Sequence, residues 1–182
     1  SYAAASSSGN GVIVMTESVV SSTKQRVGLY TPGERRRRDA SGWTLVQGVL
    51  APLQAVVCAV SLVLVLRWLA SGQGLDAAQG SVVVKTLALY AIMITGSIWE
   101  KEVFGRYLFA PAFFWEDVVS MVVIALHAAC LVAMATGWIE ARAQMLLVLA
   151  AYAAYVINAV QFVLKLRAAR RLGQERAVSV VT

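Results

Sequence analysis

Long stretches without charged side chains alternate with short polar segments along most of this chain. Residues 45–66, 118–139 and 143–164 contain no acidic or basic side chain, apart from one histidine in the second stretch. Residues 82–99 contain a single charged side chain, Lys85. A helix that spans a bilayer needs about 20 predominantly apolar residues. The pattern therefore predicts four transmembrane helices.

The predicted fold class is all-α, an integral membrane four-helix bundle that forms one domain over residues 29–171. The expected spans are residues 44–68, 81–100, 114–138 and 143–166. Two segments lie outside the bundle. Residues 1–28 are typical of a mobile N-terminal extension or an artificial linker. Residues 172–182 are expected to form a basic C-terminal tail.

A short helix is expected just before the first span. Thr31 can cap it, Pro32 suits a first helical turn, and Glu34 can complete a capping box. The four arginines at 35–38 could lie on the membrane surface with their guanidinium groups at lipid phosphates. Trp43 follows at the depth where an interfacial anchor is expected.

The composition excludes an ordinary soluble domain and indicates an orientation. Of the 182 residues, 59% are hydrophobic, and the net charge is +6. Basic side chains precede the first span, follow the last, and occur in the loop at residues 100–112, whereas the other two loops have almost none. This asymmetry predicts cytoplasmic N and C termini. Anionic lipid headgroups are then the expected partners of these bases, not nucleic acid.

The two cysteines offer no evidence of a disulfide or a zinc site. Cys58 and Cys130 both fall inside predicted spans, without CxxC spacing or nearby histidine partners. We interpret them as small buried residues.

Polar residues within the apolar stretches recur on single helix faces. They are Gln47 and Gln54 on the first span, Glu116, Ser120 and His127 on the third, and Tyr155, Asn158, Gln161 and Lys165 on the fourth. Such groups are costly in a membrane and favour a common interior. His127 would lie about 15 Å beyond Asp117. The stripes predict a polar funnel that opens at the cytoplasmic end and ends at His127.

Structural alternatives remain open for several of these residues. Gln54 and Asn158 could simply join helices by hydrogen bonds. Lys165 could be the last-turn anchor of the fourth helix. Lys85 is expected to extend outward to the membrane surface, since it lies near the start of its predicted span.

The segment at residues 96–117 is unusually rich in acids and aromatic rings for a loop between apolar helices. Glu100, Glu116 and Asp117 lie at its two ends. A carboxyl group near a bilayer and beside a second carboxylate tends to keep its proton, while its partner remains ionised. Such a pair can carry out general acid–base catalysis. Lys101 could instead pair with one of these acids and make the cluster structural.

Four segments of the chain resemble the 3-vinyl bacteriochlorophyllide hydratases, small membrane proteins of bacteriochlorophyll biosynthesis. The segments are VQGVLAPLQ (46–54), VVVKTLALYAIMITGSIWEK (82–101), GRYLFAPAFFWEDVVSMVVIALH (105–127) and AAYVINAVQFVLKLRAAR (153–170). LFAPAFFWED and SIWEK are the most specific of them. The resemblance covers roughly residues 29–170, nearly the whole predicted bundle.

The resemblance implies an enzyme, a hydro-lyase that adds water to the C3-vinyl group of a chlorophyllide and yields a 3-(1-hydroxyethyl) group. The implied substrates are water and chlorophyllide a or 3-vinyl bacteriochlorophyllide a. The implied location is the cytoplasmic or intracytoplasmic photosynthetic membrane of a bacterium, where other pigment-biosynthesis enzymes would be neighbours. The reaction requires no added cofactor, and magnesium enters only as part of the substrate.

The resemblance assigns no catalytic residues, so the expected roles come from the residues themselves. Glu116 or Asp117 is the expected acid, and Glu100 would orient the water. The macrocycle would lie among aromatic and polar side chains. These are Trp99, Phe109, Phe113, Phe114, Trp115, Tyr155, Asn158 and Gln54. Its propionate would bind Lys101, Arg106 or Lys165. His127 would ligate the magnesium or, alternatively, hydrogen-bond a ring carbonyl.

Two other classes of function fit part of this pattern. A non-catalytic pigment carrier would use His127 and the aromatic rings but would not need the acids. A small ion or proton transporter would use Glu116, Asp117 and His127 but would have less need of the rings, and no internal repeat supports it. The presence of both acids and rings favours the enzyme.

Overall fold

The computed structural model describes residues 29–181, with side chains described for residues 29–171. The residues described form five helices and no strand. They are α1 (Pro32–Ala40), α2 (Gly42–Ser71), α3 (Leu75–Phe104), α4 (Phe114–Thr136) and α5 (Ala141–Val181). Four of them, α2 to α5, are long and apolar enough to cross a membrane. The all-α fold with four candidate spans is thus confirmed. The extension expected over residues 1–28 lies outside the described residues.

The four long helices pair as two antiparallel hairpins, α2 with α3 and α4 with α5. In the first hairpin Gln47 Nε2 donates to Thr95 Oγ1 at 2.7 Å, and Ser61 lies 2.7 Å from Ser81 between hydroxyl oxygens. Matching contacts join α4 to α5. The start of α2, the α3–α4 connection and the last apolar turns of α5 therefore lie at the same end of the bundle, which we call the carboxyl end.

Helix α1 forms as its sequence predicts and packs on the carboxyl end. Thr31 Oγ1 accepts from the Glu34 amide, and the Glu34 carboxylate accepts from the Thr31 amide, which completes the capping box. Arg37 Nε then donates to the Val103 carbonyl at 2.8 Å, and Ser41 Oγ donates to Glu102 at 2.7 Å. These bonds satisfy a carbonyl of the last α3 turn and fix α1 beside it.

The distribution of polar and apolar side chains is that of a membrane protein. Large apolar residues such as Leu45, Val63 and Val132 are more than half exposed on the outside. Polar groups lie inside, among them Gln54 and His127. Because lipid replaces water around such a bundle, the helix exteriors need not be polar.

The far half of the bundle, opposite the carboxyl end, is closed by an apolar core. Val65, Val82, Met145 and Val148 are all fully buried there, together with the nearly buried Cys130. This half also contains buried polar side chains that are hydrogen-bonded within the bundle, among them Ser61 and Gln144.

The outward orientation expected for Lys85 is wrong. Its side chain is 0% exposed. The expectation placed the start of the helix near residue 81, but α3 begins at Leu75. Lys85 therefore lies nearly three turns inside the helix, too deep for its side chain to reach the membrane surface.

Candidate active site

Two carboxyl groups from different helices meet at the carboxyl end. Glu100 lies in the last turns of α3 and Asp117 in the first turn of α4. Their side chains are 5% and 3% exposed, and their carboxyl groups accept hydrogen bonds from adjacent backbone amides, which holds the two groups side by side. Of the three acids expected from the sequence, these are the two that the fold brings together.

The connection between α3 and α4 holds this pair through consecutive backbone amides. The Phe109 amide donates to Asp117 Oδ2 at 2.7 Å, and the Ala110 amide donates to Glu100 Oε2 at 3.4 Å. Phe109 adopts a φ of 59°, the only positive value at a non-glycine residue in the described part of the chain. Left-handed backbone is unfavourable for a residue with a Cβ atom. The amide contacts therefore depend on a strained turn.

Contact between two buried carboxyl groups favours a single shared proton. Two carboxylates at this separation would repel each other in a poorly hydrated site, whereas a protonated group can donate to its ionised neighbour. The pair then contains one potential acid and one potential base. The amides of Phe109 and Ala110 stabilise the negative charge that remains.

Glu116 has a different environment, although it is adjacent to Asp117 in sequence. Its carboxylate accepts from Lys165 Nζ at 2.5 Å, which links α4 to α5. The same ammonium group lies 5.1 Å from the centroid of the Phe113 ring. Lys165 is thus an ion-pair partner and not merely an anchor at the helix end.

The aromatic residues of this region divide into an inner group and an outer group. The inner group surrounds Phe113, which is 2% exposed, and its other members are Trp99, Phe104, Tyr30 and Phe162. Burial in this group raises the pKa of Tyr30, although the nearby Arg38 opposes that shift. Trp99 Nε1 donates to Thr44 Oγ1 at 2.9 Å. These rings connect the segment before α1 to α3 and α5 beside the carboxyl pair.

The outer group consists of Phe109, Phe114 and Trp115. Their rings contact one another in sequence, with centroids 5.7 Å and 5.5 Å apart. Their side chains are 39%, 44% and 71% exposed. The group forms an apolar surface that continues from the turn covering the carboxyl pair. The structure thus separates the rings predicted to bind substrate into a packed set and an accessible set.

Neither Lys101, in the last turn of α3, nor Arg106, in the connection, pairs with Glu100 or Asp117. Lys101 Nζ donates to the Gly105 carbonyl at 3.1 Å and lies 5.2 Å from the Tyr107 ring centroid. Arg106 is exposed. Lys101 therefore does not form the ion pair with an acid that the structural alternative required. Lys165 forms such a pair, with Glu116.

A second polar layer lies deeper in the bundle. Asn158 Nδ2 donates to Ser120 Oγ at 2.8 Å and so joins α5 to α4, as one alternative from the sequence proposed. The Asn158 Oδ1 atom and both polar atoms of Gln54 have no hydrogen-bond partner among the described residues. Buried polar groups without partners are costly, so this layer is suited to bind a ligand or water.

His127 lies deeper still and has a defined tautomer. Its Nδ1 lies 2.8 Å from the Val123 carbonyl, which can only accept, so a neutral ring carries its proton on Nδ1. Nε2 is then a free lone pair directed into the buried interior. The ring stacks on Tyr152, whose hydroxyl lies 2.5 Å from Ser61 Oγ.

Comparison with known proteins identifies the family. The family model described as 2-vinyl bacteriochlorophyllide hydratase matches residues 30–168. The hydratase of that name from Rhodobacter capsulatus is 63% identical over 145 residues, 80% of this chain and 84% of its own. The Cereibacter sphaeroides hydratase is 63% identical over 142 residues, 78% of this chain and 88% of its own.

This chain belongs to the 2-vinyl bacteriochlorophyllide hydratase family. The resemblance inferred from the sequence is thereby confirmed, together with the assignment to the hydro-lyases and to bacteriochlorophyll biosynthesis. No solved structure matches the chain. The described bundle, including the carboxyl pair, falls almost entirely within the matched residues.

The sequence reasoning missed two interior residues of this hydratase-family chain. Lys85 was expected at the surface, yet its Nζ lies in the interior, 3.7 Å from the Tyr155 ring centroid. Tyr152 was not selected, yet it stacks on His127. The spacing between Tyr152 and Tyr155 could have indicated a shared helix face. The burial of Lys85 could have been predicted only if the start of α3 at Leu75 had been known.

Proposed function

We propose that this protein adds water across the C3-vinyl group of chlorophyllide a or 3-vinyl bacteriochlorophyllide a. The "2-vinyl" in the relatives' names and the "3-vinyl" used here number the macrocycle in two ways. The observation that carries the catalytic proposal is that Glu100 and Asp117 are both buried and accept from adjacent backbone amides of one turn. Hydration requires one group that protonates a carbon and one that takes a proton from water. A carboxyl pair that holds a single proton can supply both.

The proposed reaction begins with proton transfer to the terminal carbon of the vinyl group. The protonated member of the pair donates this proton, and the inner vinyl carbon becomes a cation that the macrocycle delocalises. Water then adds to that carbon and gives up a proton to the pair, so the pair again holds one proton. No electron is gained or lost overall, and the pathway uses no redox cofactor. Carboxylates beside the cation stabilise it electrostatically.

The proposed roles of the neighbouring acids follow from their different partners. Asp117 and Glu100 exchange the proton, with Glu100 orienting the water. Glu116 pairs with Lys165 and is proposed to contribute negative charge near the developing cation. This assignment selects Asp117 over Glu116 as the proton donor.

The macrocycle is proposed to enter from the membrane interface past the outer aromatic group. Phe109, Phe114 and Trp115 offer exposed rings against which a flat apolar molecule can stack. The turn at Phe109 covers the pair and must move aside for the vinyl group to reach it. Arg106 and Lys101, which are exposed beside this surface, are suited to bind the propionate.

His127 has suitable chemistry for a magnesium ligand. It lies too deep, however, to bind the magnesium of a substrate whose vinyl group is at Asp117. Ten residues of helix separate the two, about 15 Å of rise. Only about five bonds join the magnesium to the outer vinyl carbon, which at roughly 1.5 Å per bond is less than about 8 Å. With the vinyl group at Asp117, the metal would lie nearer Asn158, whose free Oδ1 is the oxygen ligand that magnesium prefers.

The proposed setting is a photosynthetic bacterial membrane, cytoplasmic or intracytoplasmic, with the carboxyl end and both termini on the cytoplasmic side. The basic residues of α1 and of the end of α5 support this orientation, since bases concentrate at cytoplasmic helix ends. Anionic lipid headgroups would bind these bases. Proximity to other pigment-biosynthesis enzymes is part of the same proposal.

Heavy-oxygen labelling tests the proposed reaction directly. Membranes containing the protein are incubated with chlorophyllide a in H₂¹⁸O without added cofactor, and the pigment is analysed by mass spectrometry. A product heavier than chlorophyllide by one labelled water is expected, and its formation should fail in Asp117→Asn. Arg67→Gln, an exposed site on α2, is the control variant. Tight pigment binding without any mass change would instead identify a non-catalytic carrier.

A further inference from the structure

The interior between the two hairpins contains polar groups that the carboxyl pair does not account for. The hairpins contact each other much less extensively than the helices within each hairpin do. Five buried side-chain atoms of the described residues have no hydrogen-bond partner. They belong to Gln54 and Lys85 on one hairpin, and to His127 and Asn158 on the other.

Lys85 is the most unusual member of this set. It is fully buried, and its Nζ has no oxygen or nitrogen partner, only the face of Tyr155 at 3.7 Å. A donor in this position is costly unless an acceptor is supplied from outside the protein. The aromatic face offsets part of that cost and also holds the side chain in place.

The depth of Lys85 Nζ can be estimated along α4 and α5. Ser120 lies one turn beyond Asp117 and pairs with Asn158, and Tyr155 lies about one further turn along α5. His127 marks the far limit of this layer. On α3 itself Lys85 precedes Glu100 by 15 residues, about 22 Å of rise, and an extended lysine side chain spans about 6 Å. The amine therefore lies on the order of 15 Å from the level of the acid pair.

The substrate class has a matching dimension. In a chlorophyllide, the carbonyl of the fifth ring lies on the edge opposite the vinyl group. About ten bonds separate the outer vinyl carbon from that oxygen, which at roughly 1.5 Å per bond limits the distance to about 15 Å. A macrocycle with its vinyl group at Asp117 would thus place a carbonyl oxygen in the Lys85 layer.

We propose that Lys85 Nζ donates a hydrogen bond to the ring carbonyl on the edge of the macrocycle opposite the vinyl group. Lys85 is then a specificity-determining and positioning residue, and the seam between the hairpins is the slot for the flat substrate. This inference rests on the proposed vinyl hydration. A neutral carbonyl suits this depth, since the charged propionate favours the headgroup region.

The apolar core beyond this layer supports a closed slot and not a channel. Val65, Val82 and Met145 are fully buried on its far side. A ligand that entered from the carboxyl end would therefore stop at Lys85 and His127. The polar side chains of this half, such as Ser61 and Gln144, are bonded to other groups of the bundle, so no unpartnered polar atom among the described residues extends the slot further.

The test compares chlorophyllide a with an analogue in which the ring carbonyl is reduced to methylene and the vinyl group is intact. The wild-type protein is expected to hydrate the analogue about tenfold less efficiently in kcat/KM. In the Lys85→Met variant, kcat/KM for chlorophyllide a should fall by a similar factor, whereas kcat/KM for the analogue should equal that of the wild type. Lys85→Gln, which retains a donor, should recover part of the preference.

Thr86→Val is the matched control. Thr86 is the next residue on α3, is fully buried, and donates to the Val82 carbonyl of its own helix. It should retain the wild-type preference between the two pigments. An unchanged preference in Lys85→Met would overturn the proposal.

A spectroscopic measurement separates this proposal from the proposed catalysis. Resonance Raman spectra of bound chlorophyllide a should show the ring carbonyl stretch at lower frequency in the wild type than in Lys85→Met. A frequency difference without hydration would support the subsite but contradict the hydratase assignment. Hydration with no frequency difference between the variants would contradict the subsite alone.

Discussion

The amide of Phe109 donates a 2.7 Å hydrogen bond to Asp117 Oδ2 from a left-handed backbone conformation. The residue that covers the acid pair is therefore also the residue with the least favourable backbone in the described chain. Such strain persists where surrounding contacts maintain it, and it often accompanies functional sites. It makes the turn a natural place for the site to open.

Asp117→Asn should lower hydration at least about 100-fold, because the shared proton of the carboxyl pair is lost. Glu116→Gln should have a much smaller effect, since Glu116 contributes charge but not the proton. Initial rates of labelled product with equal amounts of protein in membranes would measure both. Equal losses in the two variants would contradict the assignment of Asp117 as the acid.

Phe109→Gly should be more stable than Phe109→Ala by about 1 kcal/mol, since glycine adopts a positive φ without a Cβ clash. Both variants lose the ring, so their difference isolates the backbone term. Thermal denaturation in the same detergent would measure it. If alanine were the more stable of the two, the turn would not be strained as described.

The Glu116–Lys165 ion pair should show strong coupling in a double-mutant cycle. Glu116→Gln or Lys165→Met alone leaves a mostly buried charge without its partner, whereas the double variant removes both charges. We expect a coupling of about 1–3 kcal/mol in the free energy of unfolding. Additive effects would show that the contact contributes little to stability.

Gln54→Leu should stabilise the pigment-free protein by about 1 kcal/mol or more and weaken pigment binding. Both polar atoms of Gln54 are buried without a partner, so an apolar replacement removes a desolvation cost. Gln47→Leu is the contrasting variant on the same helix. Gln47 donates a hydrogen bond to Thr95, so this substitution should destabilise the protein. Pigment titration and thermal denaturation would measure the two effects. A stability loss in both variants would indicate that Gln54 has a structural partner.

Much of the fold could be predicted because a bilayer imposes a simple rule on sequence. Helices must satisfy their own backbone, so three long uncharged stretches and a fourth with only Lys85 sufficed to predict four candidate spans. The capping box of α1 was predicted because its bonds are local. The family was evident in segments such as LFAPAFFWED.

The start of α3 at Leu75 could not be predicted from hydropathy. The Gly-rich segment before it contains residues typical of a turn, yet only residues 72–74 form the turn. A polar helical start outside the apolar stretch gives little hydropathy signal. The misplaced boundary was the direct cause of the wrong orientation of Lys85.

The sequence by itself thus determined the spans, the capped entry helix, the family and the set of candidate acids, since each depends on local composition or spacing. Only the tertiary structure decided which acids meet. Glu116 and Asp117 are neighbours on one helix, but successive helical side chains point in different directions. One therefore faces Lys165 on α5, and the other faces Glu100 on α3. The partners of a buried charge are set by how the helices pack together, and no short stretch of sequence contains that information.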